Sequence, residues 1–250
     1  MTSHWFEPPR PRVLAHRGLA IDVPENTLAA FERAVRAGAT YLETDVHVSA
    51  DGAAVLAHDP TLKRVASRPE QVSRLTVDEL RRVDLGGGHA FGTLDELLHA
   101  FPEARLNIDV KTDAAVPAVI EAIRRADAAD RVLLTSFSDA RRRRLVAALP
   151  RAATSAGQAT VLRARAASVT RNAALMRRAT AGLGALQIPE RLGRIAVLSP
   201  ALLAAAHAAG VEVHVWTVND EADMRRLLAL GVDGLVTDRA DVALRIISEN

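Results

Sequence analysis

Glu43 and Asp45 stand two residues apart in the run Tyr41-Leu42-Glu43-Thr44-Asp45-Val46, and Asp109 and Lys111 stand two apart in Leu106-Asn107-Ile108-Asp109-Val110-Lys111. Side chains two apart in an extended strand share a face, so each pair points one way while the apolar residues between them point the other. Three carboxylates converging at one place repel unless they are protonated or neutralised by a cation. Hard oxygen donors of this kind favour Mg2+ or Ca2+. His16 ends another β-rich run and is followed by Arg17-Gly18; His58 ends a short extended run after Asp51-Gly52. Two imidazoles beside a metal could divide proton transfer, one taking a proton from an attacking oxygen and the other protonating a departing alkoxide. Arg17, as a donor fork, and Lys111, as a compact charge, could then hold phosphate oxygens. Taken singly, each residue has a plainer role, the acids as solvated charges and the histidines as hydrogen-bonded strand ends.

Such a set needs a frame that brings the ends of several strands together. Short β-rich runs alternate with helical stretches from Val13 onward, the pattern of parallel βαβ units. About eight repeats are present, at Val13–His16, Tyr41–His47, Arg105–Lys111, Arg131–Ser136, Ala152–Ala156, Ala185–Ile188, Val211–Val218 and Gly234–Thr237. Eight repeats in 250 residues predict one (β/α)8 TIM barrel spanning residues 1–250, and the candidate residues lie toward the C-terminal strand ends, the rim where such barrels do their chemistry. Residues 48–104 hold more chain than one crossover helix needs, so a small insertion over the rim is expected after the second strand, together with the second barrel helix. Asp51-Gly52 reads as a hairpin turn there. Thr76–Glu79 and Thr93–Glu96 both read as capping boxes. Asn26-Thr27, Ser199-Pro200, Asn219-Asp220 and Asp238 are read as helix starts.

Composition narrows the possibilities. With no cysteine in the chain, disulfides and thiolate metal sites are excluded. The 32 basic and 30 acidic residues leave a formal charge of +2, so nucleic acid is not implied. No uninterrupted apolar run approaches 18 residues, so no stable membrane insertion is expected. Met1 to Arg12 lacks the features of a secretory signal, and a cytoplasmic location is the expectation. Nearly all basic residues are Arg; Lys occurs only at Lys63 and Lys111. Arg141 to Arg144 reads as a solvated basic helix face, Trp5 and Phe6 as a plug for the barrel's bottom, and His214 as a core histidine. Trp216 reads equally well as barrel filling or as a wall of the site.

The ordered series His16-Arg17-Gly18, Pro24-Glu25-Asn26-Thr27, Glu43-Thr44-Asp45-Val46, Asp51-Gly52, His58-Asp59, Asp109-Val110-Lys111, Trp216-Thr217-Val218-Asn219 and Gly231 to Asp238 resembles the glycerophosphodiester phosphodiesterase family. The resemblance covers nearly the whole chain, and between about Arg141 and Arg194 it rests on barrel periodicity alone. It implies a divalent-metal enzyme cleaving small-molecule glycerophosphodiesters to an alcohol and sn-glycerol 3-phosphate. By position, it makes Glu43, Asp45 and Asp109 metal ligands, His16 and His58 the acid/base pair, and Arg17, Lys111 and Trp216 contacts to substrate. The family usually carries glutamate where this sequence has Asp109, one methylene shorter. Two other functions fit the same residues: a lysophospholipase D-like or cyclising enzyme acting on a lipid phosphodiester, and a non-catalytic phosphodiester-binding barrel.

Overall fold

The computed structural model describes residues 4–249; Met1 to Ser3 and Asn250 lie outside the described residues. The strands are β1 (Arg12–His16), β2 (Tyr41–Val48), β3 (Ala54–Leu56), β4 (Arg105–Val110), β5 (Val132–Thr135), β6 (Ala153–Thr154), β7 (Ala185–Pro189), β8 (Arg191–Leu192), β9 (Ile195–Ala196), β10 (Glu212–Trp216) and β11 (Gly234–Thr237). Eight of them run parallel in the order β6-β5-β4-β2-β1-β11-β10-β7, and β3 pairs antiparallel on β2. The remaining seam, between β6 and β7, is closed by a parallel bridge of Ser155 to Ala185 and by the Gly184 N–H donating to the Thr154 carbonyl at 3.0 Å. The fold is a nearly closed TIM barrel with helices on the connections.

The strand sequences explain why the ring closes. Leu42, Val46, Leu106, Ile108 and Val110 face outward into a core shared with the helices. The residues between them face the lumen. The lower lumen is filled by Leu14, Tyr41, Leu133, Ala185 and Val236 around Trp5, which is fully buried and donates its Nε1–H to the Leu106 carbonyl at 3.1 Å. Phe6 packs edge-on against Trp5, so the N-terminal segment seals the barrel's foot. His214 is buried with Nε2 3.0 Å from Glu212 Oε2, and Gln187 donates to Asn107. Glu212 in turn pairs with the buried Arg12. The lumen is thus filled with side chains below and leaves chemistry to the rim above.

The hairpin turn at Asp51-Gly52 is present, with Gly52 at φ 85° and Val48 paired to Ala54. After β3 the chain makes short helices at Lys63–Ala66 and Val77–Leu80, which pack Leu62, Val72, Leu80 and Phe91 into a small core of their own. The helix Leu94–Ala100 returns to the main core. Both Thr76 and Thr93 form complete capping boxes, and Thr27, Ser199 and Asp220 cap their helices as expected.

Two expectations are corrected. Asp238 does not cap the last helix, whose side-chain cap is absent; its carboxylate turns instead across the rim to His16. Arg141 is not solvated: its guanidinium donates to the carbonyls of Val110 and Lys111 and pairs with Asp113, tying off the end of β4. Orphan carbonyls at a strand end need such donors. Arg142 is also largely covered, while Arg143 and Arg144 face solvent. Among the described residues no helix is long and apolar enough to cross a membrane.

Candidate active site

Strand register brings the candidate residues together. His16 pairs across from Glu43, Glu43 from Asn107, and Asp45 from Asp109, so three adjacent strands deliver an imidazole and three carboxylates to one part of the rim. Arg17 and Gly18, with φ of 57° and 85°, turn the chain sharply after β1. A Cβ on Gly18 would stand 2.6 Å from the Ala30 backbone, so this turn admits only glycine. The turn sets the Arg17 N–H 3.0 Å from Glu43 Oε2.

The charges form a tight network. Lys111 Nζ lies 2.7 Å from Asp45 Oδ1 and 2.6 Å from Asp109 Oδ2. Arg17 Nε is 2.9 Å from Asp45 Oδ2, close enough to pair as charges although its N–H is not aimed at the oxygen. Asn26 Nδ2 donates to the same oxygen at 3.2 Å, and Thr44 Oγ1 donates to Asn26 Oδ1 at 2.8 Å. Arg17 also reaches Glu25, Glu25 binds Arg64, Arg64 binds Asp59, and Asp59 lies 2.7 Å from His58 Nδ1. This series of contacts connects the two histidine regions, and Arg64 anchors the insertion to Glu25. Glu25, Asn26, His58 and Asp59 line one small cavity with Phe91 behind them.

Electrostatics follow from burial. Burial and the neighbouring Asp45 charge push the Glu43 carboxyl up to about 8. Burial would also raise Asp45, but Lys111 and Arg17 hold it below the usual carboxylate range. Asp109 is raised by burial despite Lys111. Burial alone would depress His16; Glu43 and the bond to Asp238 outweigh it and raise its pKa. His16 Nδ1 stands 2.6 Å from Asp238 Oδ1, and its Nε2 faces Glu43 Oε2 at 4.0 Å. Asn219 donates to the other Asp238 oxygen at 2.6 Å. An imidazole whose second nitrogen is held by a carboxylate has its tautomer and orientation defined. His47 Nε2 lies 3.2 Å from the His58 carbonyl, and burial keeps it toward its neutral form.

The arrangement differs in one respect from the expectation that Lys111 meets phosphate while the acids meet a metal. Lys111 here sits between Asp45 and Asp109, and among the described residues no group of three His, Asp or Glu side chains is set around a common point ready for a metal. The donor set still suits a hard dication. Glu43, Asp45 and Asp109 are all buried, two of them are pushed toward protonation, and Asp109 Oδ1 is buried without a hydrogen-bond partner. Buried acids in that condition are short of positive charge.

Trp216 is half-buried at the end of β10, edge-on to Phe137 with ring centroids 6.0 Å apart, and Lys111 Nζ stands 6.0 Å from the Phe137 ring. It both packs against the lumen core and forms part of the mouth. Phe137, Asp238, Asn219 and Asn26 were not singled out from sequence as site residues. Three of them lie inside motif segments read as helix starts; Phe137 carries no signal beyond its place just after a strand.

Comparison with known proteins places the chain in a family. The model of the glycerophosphoryl diester phosphodiesterase family matches residues 16–242. The chain is 40% identical over 231 residues to a Mycobacterium tuberculosis protein named as a probable glycerophosphodiester phosphodiesterase 2, covering 92% of this chain and 88% of that one. It is 28% identical over 249 residues to the glycerophosphodiester phosphodiesterase of Caldanaerobacter subterraneus, covering 94% and 97%. The crystal structure of a glycerophosphodiester phosphodiesterase from Agrobacterium tumefaciens matches with a TM-score of 0.76 at 26% identity, covering 95% of this chain and 99% of that chain.

Proposed function

This chain belongs to the glycerophosphoryl diester phosphodiesterase family and is a phosphodiesterase of that class, and from that premise we propose that it hydrolyses small glycerophosphodiesters to an alcohol and sn-glycerol 3-phosphate in the cytoplasm, using His16 and His58 as acid and base. The observation that carries this reading is the convergence of His16, Arg17, Glu43, Asp45, Asp109 and Lys111 at neighbouring strand ends, with His58 linked to them through Asp59, Arg64 and Glu25, since binding alone needs no proton-transfer pair.

In the proposed reaction an oxygen nucleophile, either water or the substrate's own 2-hydroxyl, attacks phosphorus as the P–O bond to the leaving alcohol breaks. When the 2-hydroxyl attacks, water then opens the resulting cyclic phosphate at its 2-oxygen to give glycerol 3-phosphate. One imidazole takes the nucleophile's proton and the other gives a proton to the departing alkoxide. His16, held toward its protonated form by Glu43 and Asp238, is suited to giving. His58 is oriented by Asp59. With a cation taking up the acids that now hold them, Arg17 and Lys111 would meet the phosphate oxygens and offset their developing charge, while Trp216 would wall the organic portion. Glu43, Asp45 and Asp109 would hold one divalent cation, Mg2+ or Ca2+. When bound, it supplies Lewis-acid polarisation of the phosphoryl group.

The test is release of glycerol 3-phosphate from glycerophosphocholine. Chelation is expected to abolish it and Mg2+ or Ca2+ to restore it; full turnover in chelator overturns the metal assignment. A second reading, a lysophospholipase D-like or cyclising activity on a lipid diester, gains support from Phe137, 58% exposed beside Trp216 at the mouth. Faster turnover of lysophosphatidylcholine than of glycerophosphocholine at equal concentration would replace the first reading with the second.

A further inference from the structure

The barrel's charge is divided very unevenly. Residues 140–211 contain twelve arginines and a single acid, Glu190, whereas the rest of the chain carries 20 basic and 29 acidic residues. The near-neutral total therefore conceals a strongly basic flank on a net acidic body. This flank holds the helices Gln158–Val169 and Ala173–Ala179 and the β8–β9 hairpin. Several exposed arginines elsewhere are engaged: Arg225 and Arg245 with Glu221, Arg226 with Glu190, Arg125 with Asp95. Arg171, Arg177, Arg178 and Arg194 face solvent with no carboxylate partner among the described residues.

The same flank is apolar where a solvated surface should be polar. The helix Gln158–Val169 buries Ala164 and Ala167 against the barrel, yet its outer side shows Leu162, 61% exposed, and Val169, 71% exposed. A helix that is apolar on both sides normally has something covering each. In the hairpin Leu192 and Ile195 are register partners, 63% and 55% exposed. Arg165 Nε donates to the Ala196 carbonyl at 3.2 Å, which ties the hairpin to the helix between Leu162 and Val169. The surface also adjoins the mouth, since the Gln158 N–H that opens the helix donates to the Phe137 carbonyl.

We propose that this flank is a docking surface for an anionic lipid bilayer. Unpaired arginines match lipid phosphates in charge, and exposed aliphatic side chains among them match the acyl boundary. Nucleic acid fits less well, because residues 140–211 contain no Phe, Tyr or Trp on which bases could stack. The chemistry also gives the surface a purpose, and here the inference rests on the proposed substrate. A glycerophosphodiester is a phospholipid without its acyl chains, so the reaction that supplies it is lipid deacylation at a bilayer.

The test is co-sedimentation of the full chain with phosphatidylcholine vesicles, with and without about 30 mol% phosphatidylglycerol, alongside hydrolysis of soluble glycerophosphocholine in the same samples. Binding is expected only to the anionic vesicles and is expected to vanish near ~0.5 M salt. Arg177→Glu/Arg178→Glu and, separately, Leu192→Ser/Ile195→Ser should each weaken it more than about tenfold while leaving hydrolysis of the soluble substrate unchanged. No binding to anionic vesicles, equal binding to both vesicle types, no weakening in either variant, or tighter binding to duplex DNA than to vesicles overturns the proposal. Failure of hydrolysis alone overturns the substrate reading and leaves the vesicle result to stand by itself.

Discussion

Around the ends of β1, β2 and β4, Lys111 lies between two carboxylates and Arg17 and Asn26 both reach Asp45, whereas on the flank from 140 to 211 arginines such as Arg177 and Arg178 extend into solvent with no carboxylate partner among the described residues. Burial accounts for the difference. A charge in the lumen has lost water and must find a counter-charge or titrate, so acids and bases there become interdependent. A charge on the outer helices keeps its water and needs no partner. Substitutions in the two regions should therefore differ in kind: the first disturbs catalysis and folding together, the second only encounters with other surfaces.

The largest expected effect is on rate. His16→Ala should lower kcat/KM for glycerophosphocholine by about 10²- to 10⁴-fold, whereas Arg177→Glu/Arg178→Glu should stay within about twofold of wild type. Full activity in His16→Ala would sink its acid/base role and erase the contrast. Next comes stability. Lys111→Met leaves the buried Asp109 without its cation and Asp45 with Arg17 alone, and urea unfolding should show a loss of about 3–5 kcal/mol. Arg143→Ala, on an exposed helix face, should change stability by less than about 0.5 kcal/mol. Equal effects from the two would show that Lys111 is solvated in solution.

A smaller, pH-dependent effect sharpens the same contrast at the barrel's foot. Burial would raise the Glu212 carboxyl, but Arg12 and His214 outweigh it and hold it at about 2. A carboxyl depressed this way stabilises the fold at pH values above its unfolded range near 4.5, and that stability is lost as pH falls from there toward 2. The increment is roughly 2–3 kcal/mol. Unfolding midpoints at pH 7 and pH 3 should converge less in wild type than in Glu212→Gln, which lacks the titrating group; an identical pH response in both rules out the pairing.

Much of the barrel was legible because each strand carries its own pattern. Tyr41 to Val46 and Leu106 to Val110 alternate chemistry with apolar residues, and that alternation is local, so it survives without any knowledge of neighbours. The capping boxes at Thr76 and Thr93 were equally readable, since partners three residues apart define them. Asp238 was misread for the opposite reason. An acid before a helix is a cap by local rules, yet its partner His16 lies 222 positions away in sequence. Arg141 was misread likewise: adjacent arginines look like one solvated run, and only helix packing decides which of them turns toward the end of β4.

The sequence by itself determined the repeat of strands and helices, the membership of the chain in its family, and the parity that sets Glu43, Asp45, Asp109 and Lys111 on one side of their strands. It also contained the stretch from 140 to 211 with its twelve arginines and single acid, although composition summed over the whole chain hides it. Tertiary structure decided which charges meet. Register placed Asp45 beside Asp109 and let Lys111 reach both, ring closure brought Asp238 to His16, and the packing of the outer helices left Leu162 and Val169 facing water. Contacts of this kind join residues far apart in the chain. Their energies depend on distance and desolvation in the folded state, which no local pattern encodes.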